Sequence, residues 1–176
     1  MNYCKFFGLL LISLSSKFLA ASSFDYIYPN QAPSFSNYGT IGLLSSPSAR
    51  FLPEGTLAFS WTSMQPYLRG SIVAYPFEWM EASYQYADIN NKLYSESFAF
   101  SGNQTFKDKG FDVKLRLLKE KDKIPAVAIG LRDLAGTGLF SSEYIVGSKR
   151  FKNVDFTAGL GWGTLSRNSS FDNPLW

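Results

Sequence analysis

Histidine is absent from this 176-residue chain, and cysteine occurs once, as Cys4. Without an imidazole, the chain lacks the usual general base of hydrolases and the usual His/Cys ligand sets of zinc sites. A single cysteine cannot form an internal disulfide. These absences exclude most common hydrolase mechanisms, and the sequence predicts no cofactor and no metal site.

Charge is also scarce, because Asp, Glu, Lys and Arg make up 18% of the residues against about 25% in typical soluble domains. The formal net charge is +3, but two of the 17 basic residues, Lys5 and Lys17, lie in the N-terminal leader described below. The remainder has 15 basic and 14 acidic residues. A nearly neutral chain offers no broad electrostatic footprint for nucleic acid, so no nucleic-acid partner is predicted.

Aromatic residues are abundant, at 17% of the chain, and hydrophobic residues reach 45%. Tyr, Phe and Trp favour β-strands. They also collect at membrane interfaces, where one end of the side chain meets water. The composition therefore favours an ordered β-protein over a disordered chain.

Residues 1–22 have the pattern of a secretory signal peptide. Lys5 supplies the positive charge, residues 6–14 form an apolar run, and Ala20, Ala21 and Ser22 offer small residues for cleavage. The run is shorter than the roughly 20 residues of a transmembrane helix, although a short membrane anchor is the alternative. Cys4 precedes the apolar run, whereas a lipidated cysteine follows it, so Cys4 is predicted to be incidental.

Residues 23–38, which include Pro29 and Pro33, show no sustained period and predict a flexible N-terminal arm. Residues 39–176 predict a β-barrel-type domain that is incomplete. From Gly55 onward, apolar and polar residues alternate with a period of two in about seven segments, which is typical of strands with one apolar and one polar face. The clearest apolar series are Leu57/Phe59/Trp61, Met80/Ala82/Tyr84/Tyr86, Phe111/Val113/Leu115/Leu117, Val127/Ile129/Leu131 and Val154/Phe156/Ala158/Leu160/Trp162.

The connections between these segments alternate in length. Residues 76–78, 119–124 and 152–153 are short turns, whereas residues 88–109, 133–141 and those after 163 are long loops; only Ser63–Pro66 departs from the trend. Short turns at one end and long loops at the other are typical of a transmembrane β-barrel. The predicted fold class is therefore all-β, an antiparallel up-and-down meander that is part of an outer-membrane β-barrel.

A soluble sandwich remains the alternative architecture, because its strands also have one apolar face. The leader, the loop alternation and the aromatic residues near strand ends favour the barrel. These aromatic residues are Trp61, Tyr75, Trp79, Tyr86 and Trp162. Single-chain bacterial barrels have an even number of at least eight strands, so seven strands predict a piece of a longer protein or a wall completed by partners.

Five basic residues are predicted on the polar faces of the strands, where they would line a lumen and steer anionic polysaccharide. The alternative is a solvated face that keeps the sheet soluble. Paired carboxylates, as Asp108 with Asp112 or Asp133 with Glu143, lack an activating neighbour, so the chain is predicted not to be an enzyme. The candidate lumen residues are Arg69, Lys114, Arg116, Arg132 and Lys149.

Several motifs in order resemble the YjbH family, also called WbfB-like, of exopolysaccharide-biosynthesis proteins. The resemblance implies an outer-membrane β-rich protein associated with capsule or exopolysaccharide production, with membrane lipid, polysaccharide and other export proteins as partners. Family members are several hundred residues long, which implies that this chain is their N-terminal part, and some are lipoproteins. The motifs lie at residues 42–50, 53–55, 101–110, 112–114, 132–133, 136–140, 143–144, 148–151, 155–156 and 159–163.

The leading functional hypothesis is a passive, non-catalytic wall of an outer-membrane barrel that takes part in the biosynthesis or export of exopolysaccharide or capsule. A cell-envelope scaffold or carbohydrate-binding β-protein without a pore is the second. A carbohydrate-processing enzyme that uses Asp112 or Glu143 is the third.

Overall fold

A computed structural model describes residues 33–166 of the chain. The leader and residues 23–32 of the predicted arm lie outside the described residues. Strands dominate the described part, with one short α-helix and one turn of 3-10 helix. The strands are β1 (Gly42–Leu43), β2 (Ser46–Pro47), β3 (Leu57–Met64), β4 (Tyr67–Phe77), β5 (Met80–Leu93), β6 (Thr105–Leu118), β7 (Ala126–Arg132), β8 (Ser142–Phe151) and β9 (Val154–Gly161); α1 spans Phe98–Ser101 and the 3-10 turn spans Gly163–Leu165.

Seven strands form one antiparallel sheet in the order β3-β4-β5-β6-β7-β8-β9, so every strand pairs with its neighbours in the sequence. The sheet curls into a half-barrel, and β1 and β2 form a separate two-stranded hairpin. The all-β meander predicted from the period-two pattern is therefore confirmed. Among residues 33–166, no helix is long and apolar enough to cross a membrane.

Connection lengths at the two ends of the sheet differ as the sequence predicts for 76–78, 119–124, 133–141 and 152–153. The predicted loop at 88–109 is wrong in its bounds, because β5 continues to Leu93 and β6 begins at Thr105. Cross-strand polar contacts explain the extension. The Thr105 hydroxyl donates to Asp88 Oδ1 over 2.5 Å, and Lys107 forms an ion pair with the same carboxylate.

Two faces of the sheet differ in both chemistry and exposure. The covered face carries the polar series, in which Arg69, Glu81 and Lys114 are each at most 2% exposed. The open face carries the apolar series, in which Leu57 is 72% and Phe59 69% exposed. This distribution is the reverse of a water-soluble domain, where apolar side chains are buried and charged ones remain in water.

Residues 34–52, named the plug segment below, cover the polar face. The segment lies against the sheet through small apolar clusters, one joining Ala49 to Ala128 and Val146 and another joining Ile41 to Val73. Residues 33–38 belong to the predicted flexible arm, yet Ser36 is only 1% exposed and its backbone amide donates to Thr40 O over 2.8 Å. The Thr62 hydroxyl of β3 also donates to Asn37 O, so this part of the arm contacts the sheet.

Candidate functional site

Three of the five predicted lumen residues come together on the covered face. Arg69, Lys114 and Arg132 are 2%, 1% and 2% exposed, because the plug segment lies over them. Arg116 is half-buried at the edge of this group, with its guanidinium 4.3 Å from the centre of the Phe51 ring. In this arrangement the three buried cations contact the plug segment rather than solvent.

Lys149 does not join them. In the register of β8 with β9 it stands opposite Phe156, which belongs to the apolar series, and its Nζ lies 3.1 Å from Glu120 Oε1 in the β6–β7 turn. Earlier in the same strand, the covered-face residues Tyr144 and Val146 are apolar and pack in the cluster around Ala49. Apolar residues on both faces of β8 explain why the sequence pattern did not fix the side on which Lys149 lies.

Lys114 is the centre of a buried ion pair. Its Nζ lies 2.9 Å from Glu81 Oε2, and the two side chains are 1% and 2% exposed. The same ammonium donates to the carbonyls of Ile41 (3.3 Å) and Arg50 (3.0 Å) in the plug segment. Tyr75 donates its hydroxyl to Glu81 Oε2 over 2.5 Å. A buried ion pair is stable only when its remaining donors and acceptors are satisfied, and here the plug segment supplies two of the acceptors.

Two guanidinium groups share one aromatic ring of the plug segment. The ring of Tyr38 lies 4.7 Å from the Arg69 Cζ and 4.1 Å from the Arg132 Cζ. Arg69 also lies 4.5 Å and 4.8 Å from the rings of Tyr67 and Phe140. Cations over aromatic faces are attracted to the ring quadrupole, and more strongly when water is excluded.

The carboxylates of this face are occupied by hydrogen-bond donors. Asp112 accepts from Gln85 Nε2 at 3.1 and 3.2 Å and from the backbone amide of Asp133 at 2.9 Å. Asp108 accepts from the Thr137 hydroxyl at 2.5 Å. These contacts assign the acids a part in joining β5, β6 and the β7–β8 loop.

Several buried polar atoms of the covered face have no hydrogen-bond partner within the described residues. All three guanidinium nitrogens of Arg132 are among them, together with Gln85 Oε1, Ser60 Oγ and Ser142 Oγ. Buried polar groups without partners cost free energy, and ordered water or another polar molecule is what usually satisfies them. This face therefore has hydrogen-bonding capacity that its protein contacts do not use.

At the end of the sheet with short turns, Arg50 joins the plug segment to two other elements. Its guanidinium contacts Asp155 Oδ1 (2.6 Å) and Oδ2 (2.8 Å) on β9 and forms an ion pair with Glu120 in the β6–β7 turn. Burial alone would raise the pKa of Glu120. The Arg150 amide and the side chains of Arg50 and Lys149 outweigh that effect and lower its pKa from 4.5 to about 2.

The lowered pKa predicts a dependence of folding stability on pH. A carboxyl whose folded pKa lies below its unfolded value stabilises the fold above the unfolded pKa, and that stabilisation is lost as the pH falls through the folded value. The free energy of unfolding should therefore decrease as the pH is lowered from 4.5 to about 2. Glu120→Gln should make this dependence on pH less steep. Urea midpoints measured across that pH range test it; an unchanged slope in Glu120→Gln would contradict the assignment.

Within residues 33–166, no group of three or more Asp, Glu, His or Cys side chains is arranged to hold a metal ion. The functional residues that sequence reasoning missed are Glu81, Tyr38 and Arg50. Glu81 belongs to a predicted polar series, but nothing in the sequence indicates that Lys114 is its partner. Tyr38 and Arg50 lie in the stretch before β3, which has no period. Only a strand order with residue register would have placed Glu81 beside Lys114.

Comparison with known proteins adds two findings. Residues 34–176 match the family model YjbH, described as exopolysaccharide biosynthesis protein YbjH. The chain is also 43% identical over 166 residues to a protein of Escherichia coli (strain K12) named "Uncharacterized lipoprotein YjbH". That alignment covers 94% of this chain and 24% of the relative, so the chain spans about a quarter of the relative's length. No solved structure matches the chain.

Proposed function

The chain belongs to the YjbH exopolysaccharide biosynthesis family, and from that premise we propose that it builds part of the wall of an outer-membrane β-barrel that takes part in exopolysaccharide export. In this proposal the wall is passive. Its open face meets lipid, its covered face meets the aqueous interior, and it catalyses no reaction. Other components of the export apparatus dock on the same protein.

The observation that carries the proposal is the inverted distribution of side chains over the two faces. On the open face Ile129, Ile145 and Leu160 stand opposite one another across three strands and are 37%, 40% and 67% exposed. A contiguous apolar surface of this kind is unfavourable in water, whereas hydrocarbon chains would cover it at no cost. The charged series on the other face would be expensive in lipid and suits a polar interior.

Strand length and aromatic placement support the same orientation. A tilted strand needs about 9–11 residues to cross a bilayer. β4, β5, β6 and β8 reach that length with 11, 14, 14 and 10 residues, whereas β3, β7 and β9 have 8, 7 and 8. Exposed aromatic rings lie at the end with short turns, where Phe77 stacks on Trp79 with centroids 5.2 Å apart. Phe151 and Phe156 contact each other at 5.9 Å at the same end. Aromatic residues at strand ends match the interfacial girdle of membrane barrels.

Export and attachment to a membrane also agree with the name of the Escherichia coli relative, which calls that protein a lipoprotein. A lipid anchor and a barrel both place a protein in the membrane fraction. Only the barrel predicts that individual strand residues of this chain contact lipid, so the decisive experiment probes single residues.

Spin labels at adjacent residues test the proposal. In the full-length protein reconstituted in lipid vesicles, with its native cysteines replaced by serine, labels at Ile129→Cys and Ile145→Cys should be relaxed strongly by oxygen, which concentrates in lipid. The neighbours Ala128→Cys and Val146→Cys lie on the covered face and should show little oxygen contact. Open-face labels relaxed instead by a polar nickel complex, in protein that stays folded without detergent, would overturn the membrane orientation.

A scaffold without a pore is the second candidate, and it is favoured by the plug segment covering the basic residues of the polar face. Conductance of the full-length protein in planar bilayers separates the candidates. A barrel with a water-filled path should conduct ions, whereas a scaffold without a pore should show no conductance.

A further inference from the structure

We propose that the plug segment, residues 34–52, is displaceable, and that the covered face beneath it is the path that hydrated polysaccharide follows once the segment has left. The inference rests on the proposed function and names how the path would be closed and opened. Three features of the segment carry it: its internal hydrogen bonding, the nature of its attachments to the sheet, and the unused polar groups beneath it.

First, the segment is folded on itself. Its backbone hydrogen bonds run within the segment, from Asn37 N to Leu44 O (2.5 Å) and from Gly42 N to Ser34 O (3.0 Å), and β1 pairs with β2. The described links between the segment and the sheet all involve side chains. Moving the segment as a unit would therefore break no backbone ladder of the sheet, which is the interaction that makes a strand hard to remove.

Second, beside the small apolar clusters around Ala49 and Ile41, the segment is attached to the sheet by polar contacts of side chains. The Ser148 hydroxyl accepts from the Ala49 amide at 2.9 Å, and the Thr62 hydroxyl donates to Asn37 O at 2.9 Å. Lys114 donates to two carbonyls, and Arg50 contacts Glu120 and Asp155 at the end with short turns. The carbonyl oxygens of Ile41 and Arg50 are neutral acceptors for Lys114, and hydroxyl groups of another polymer can take their place.

Third, the plug segment leaves some buried polar atoms of the covered face without hydrogen-bond partners. Arg132, Gln85 and Ser142 keep buried polar atoms without partners in the described part of the chain. The face mixes buried bases (Arg69, Lys114, Arg132) with buried acids (Glu81, Asp108, Asp112) and many serines. A surface with balanced charge and spare donors and acceptors suits a hydroxyl-rich, hydrated chain better than a polyanion. The ligand class is therefore a polysaccharide held by its hydroxyl groups.

Gly39 marks the closest approach of the segment to the sheet. Its φ is +80°, and a Cβ built there would lie 2.3 Å from Ser71 Oγ and 2.6 Å from Ser60 Oγ. Gly55 has the same backbone conformation (φ +78°) but no atom within 4 Å of such a Cβ. Valine at either position adds left-handed strain, and only valine at 39 pushes the segment away from the sheet. The two glycines provide a matched pair of variants.

One experiment locks the segment. The Ala49 amide lies 2.9 Å from the Ser148 hydroxyl, so we choose these two positions for an engineered disulfide. In full-length protein with its native cysteines replaced by serine, the double variant Ala49→Cys/Ser148→Cys should show low conductance in planar bilayers when oxidised, and higher conductance after reduction. Cells that produce it should secrete less polysaccharide under oxidising conditions. Each single-cysteine variant is the control and should not respond to reductant.

The converse experiment loosens the segment. Gly39→Val should raise the open fraction about tenfold over Gly55→Val, which corresponds to ~1.4 kcal/mol, and the measurement is open probability in the same bilayers. Equal conductance of the oxidised and reduced double variant, together with equal open probability of the two glycine variants, would overturn the proposal that the plug segment is displaceable. If the spin labels show that the open face contacts lipid, the proposed barrel stands although the proposal of a displaceable plug segment is wrong. If they show that the open face contacts water, the proposed function itself is wrong.

Discussion

Lys114→Ala should destabilise the folded protein by about 3–5 kcal/mol, the range expected when one partner of a buried ion pair is removed. Glu81 would keep a carboxylate that is 2% exposed and would lose its neutralising ammonium. The carbonyls of Ile41 and Arg50 would lose their donor as well. Urea titration of the protein in lipid vesicles, followed by tryptophan fluorescence, measures the change.

Two further variants show whether burial is the cause. Lys119 and Glu78 form an ion pair whose side chains are 59% and 58% exposed, so Lys119→Ala should change the stability little. The double variant Lys114→Met/Glu81→Gln removes both charges, keeps an acceptor for Tyr75, and should recover much of the loss. Equal effects of Lys114→Ala and Lys119→Ala would show that Lys114 is not buried as described.

The buried position of Lys114 also affects how secretion experiments are interpreted. Lys114→Glu would place two carboxylates side by side under the plug segment, since Glu81 is the register partner of residue 114. Reduced secretion by that variant would report damage to the fold. Arg116, which is half-buried beside Phe51, is the better position at which to test contact with polymer.

If the open face contacts lipid as proposed, Ile145→Arg should destabilise the protein in lipid vesicles by about 2–4 kcal/mol, which is the cost of an arginine on a lipid face near the bilayer midplane. Ile145 lies on the open face between Ile129 and Leu160, opposite both in the registers of β8. In water the same substitution would be nearly neutral or would improve solubility. The sign and size of this change therefore distinguish lipid from water as the medium of the open face.

Ile124→Arg is the matched control. Ile124 is 45% exposed, close to the 40% of Ile145, but it lies in the β6–β7 turn outside the strands. Arginine there should change the free energy of unfolding by less than ~1 kcal/mol. Urea titration in vesicles of both variants gives the comparison, and a neutral Ile145→Arg would contradict lipid contact.

Strand content and the two faces were predictable from the sequence because backbone pleating forces alternate residues to opposite sides. Phe111, Val113 and Leu115 separate cleanly from Asp112 and Lys114, and the structure places the two series on opposite faces. The count of about seven strands agrees with the seven-stranded sheet. The family resemblance is also confirmed by the match over residues 34–176.

What the sequence could not provide is the role of residues before β3. Tyr38 and Arg50 lie in a stretch without a period, and their partners Arg132 and Asp155 are about a hundred residues away in the chain. A period describes only the local direction of a side chain, whereas this part of the site depends on long-range contacts. For the same reason Glu81 was not predicted beside Lys114.

The neighbour-to-neighbour order of the sheet sets the sequence of events during assembly. Because each strand pairs only with the next, the sheet can grow by adding one hairpin at a time, and every step closes a short loop at small entropic cost. The contacts of Ala49 with Ser148 and of Arg50 with Asp155 span 99 and 105 residues. They can form only after β8 and β9 are in place, so the part of the covered face beneath Ala49 and Arg50 stays open to solvent until then.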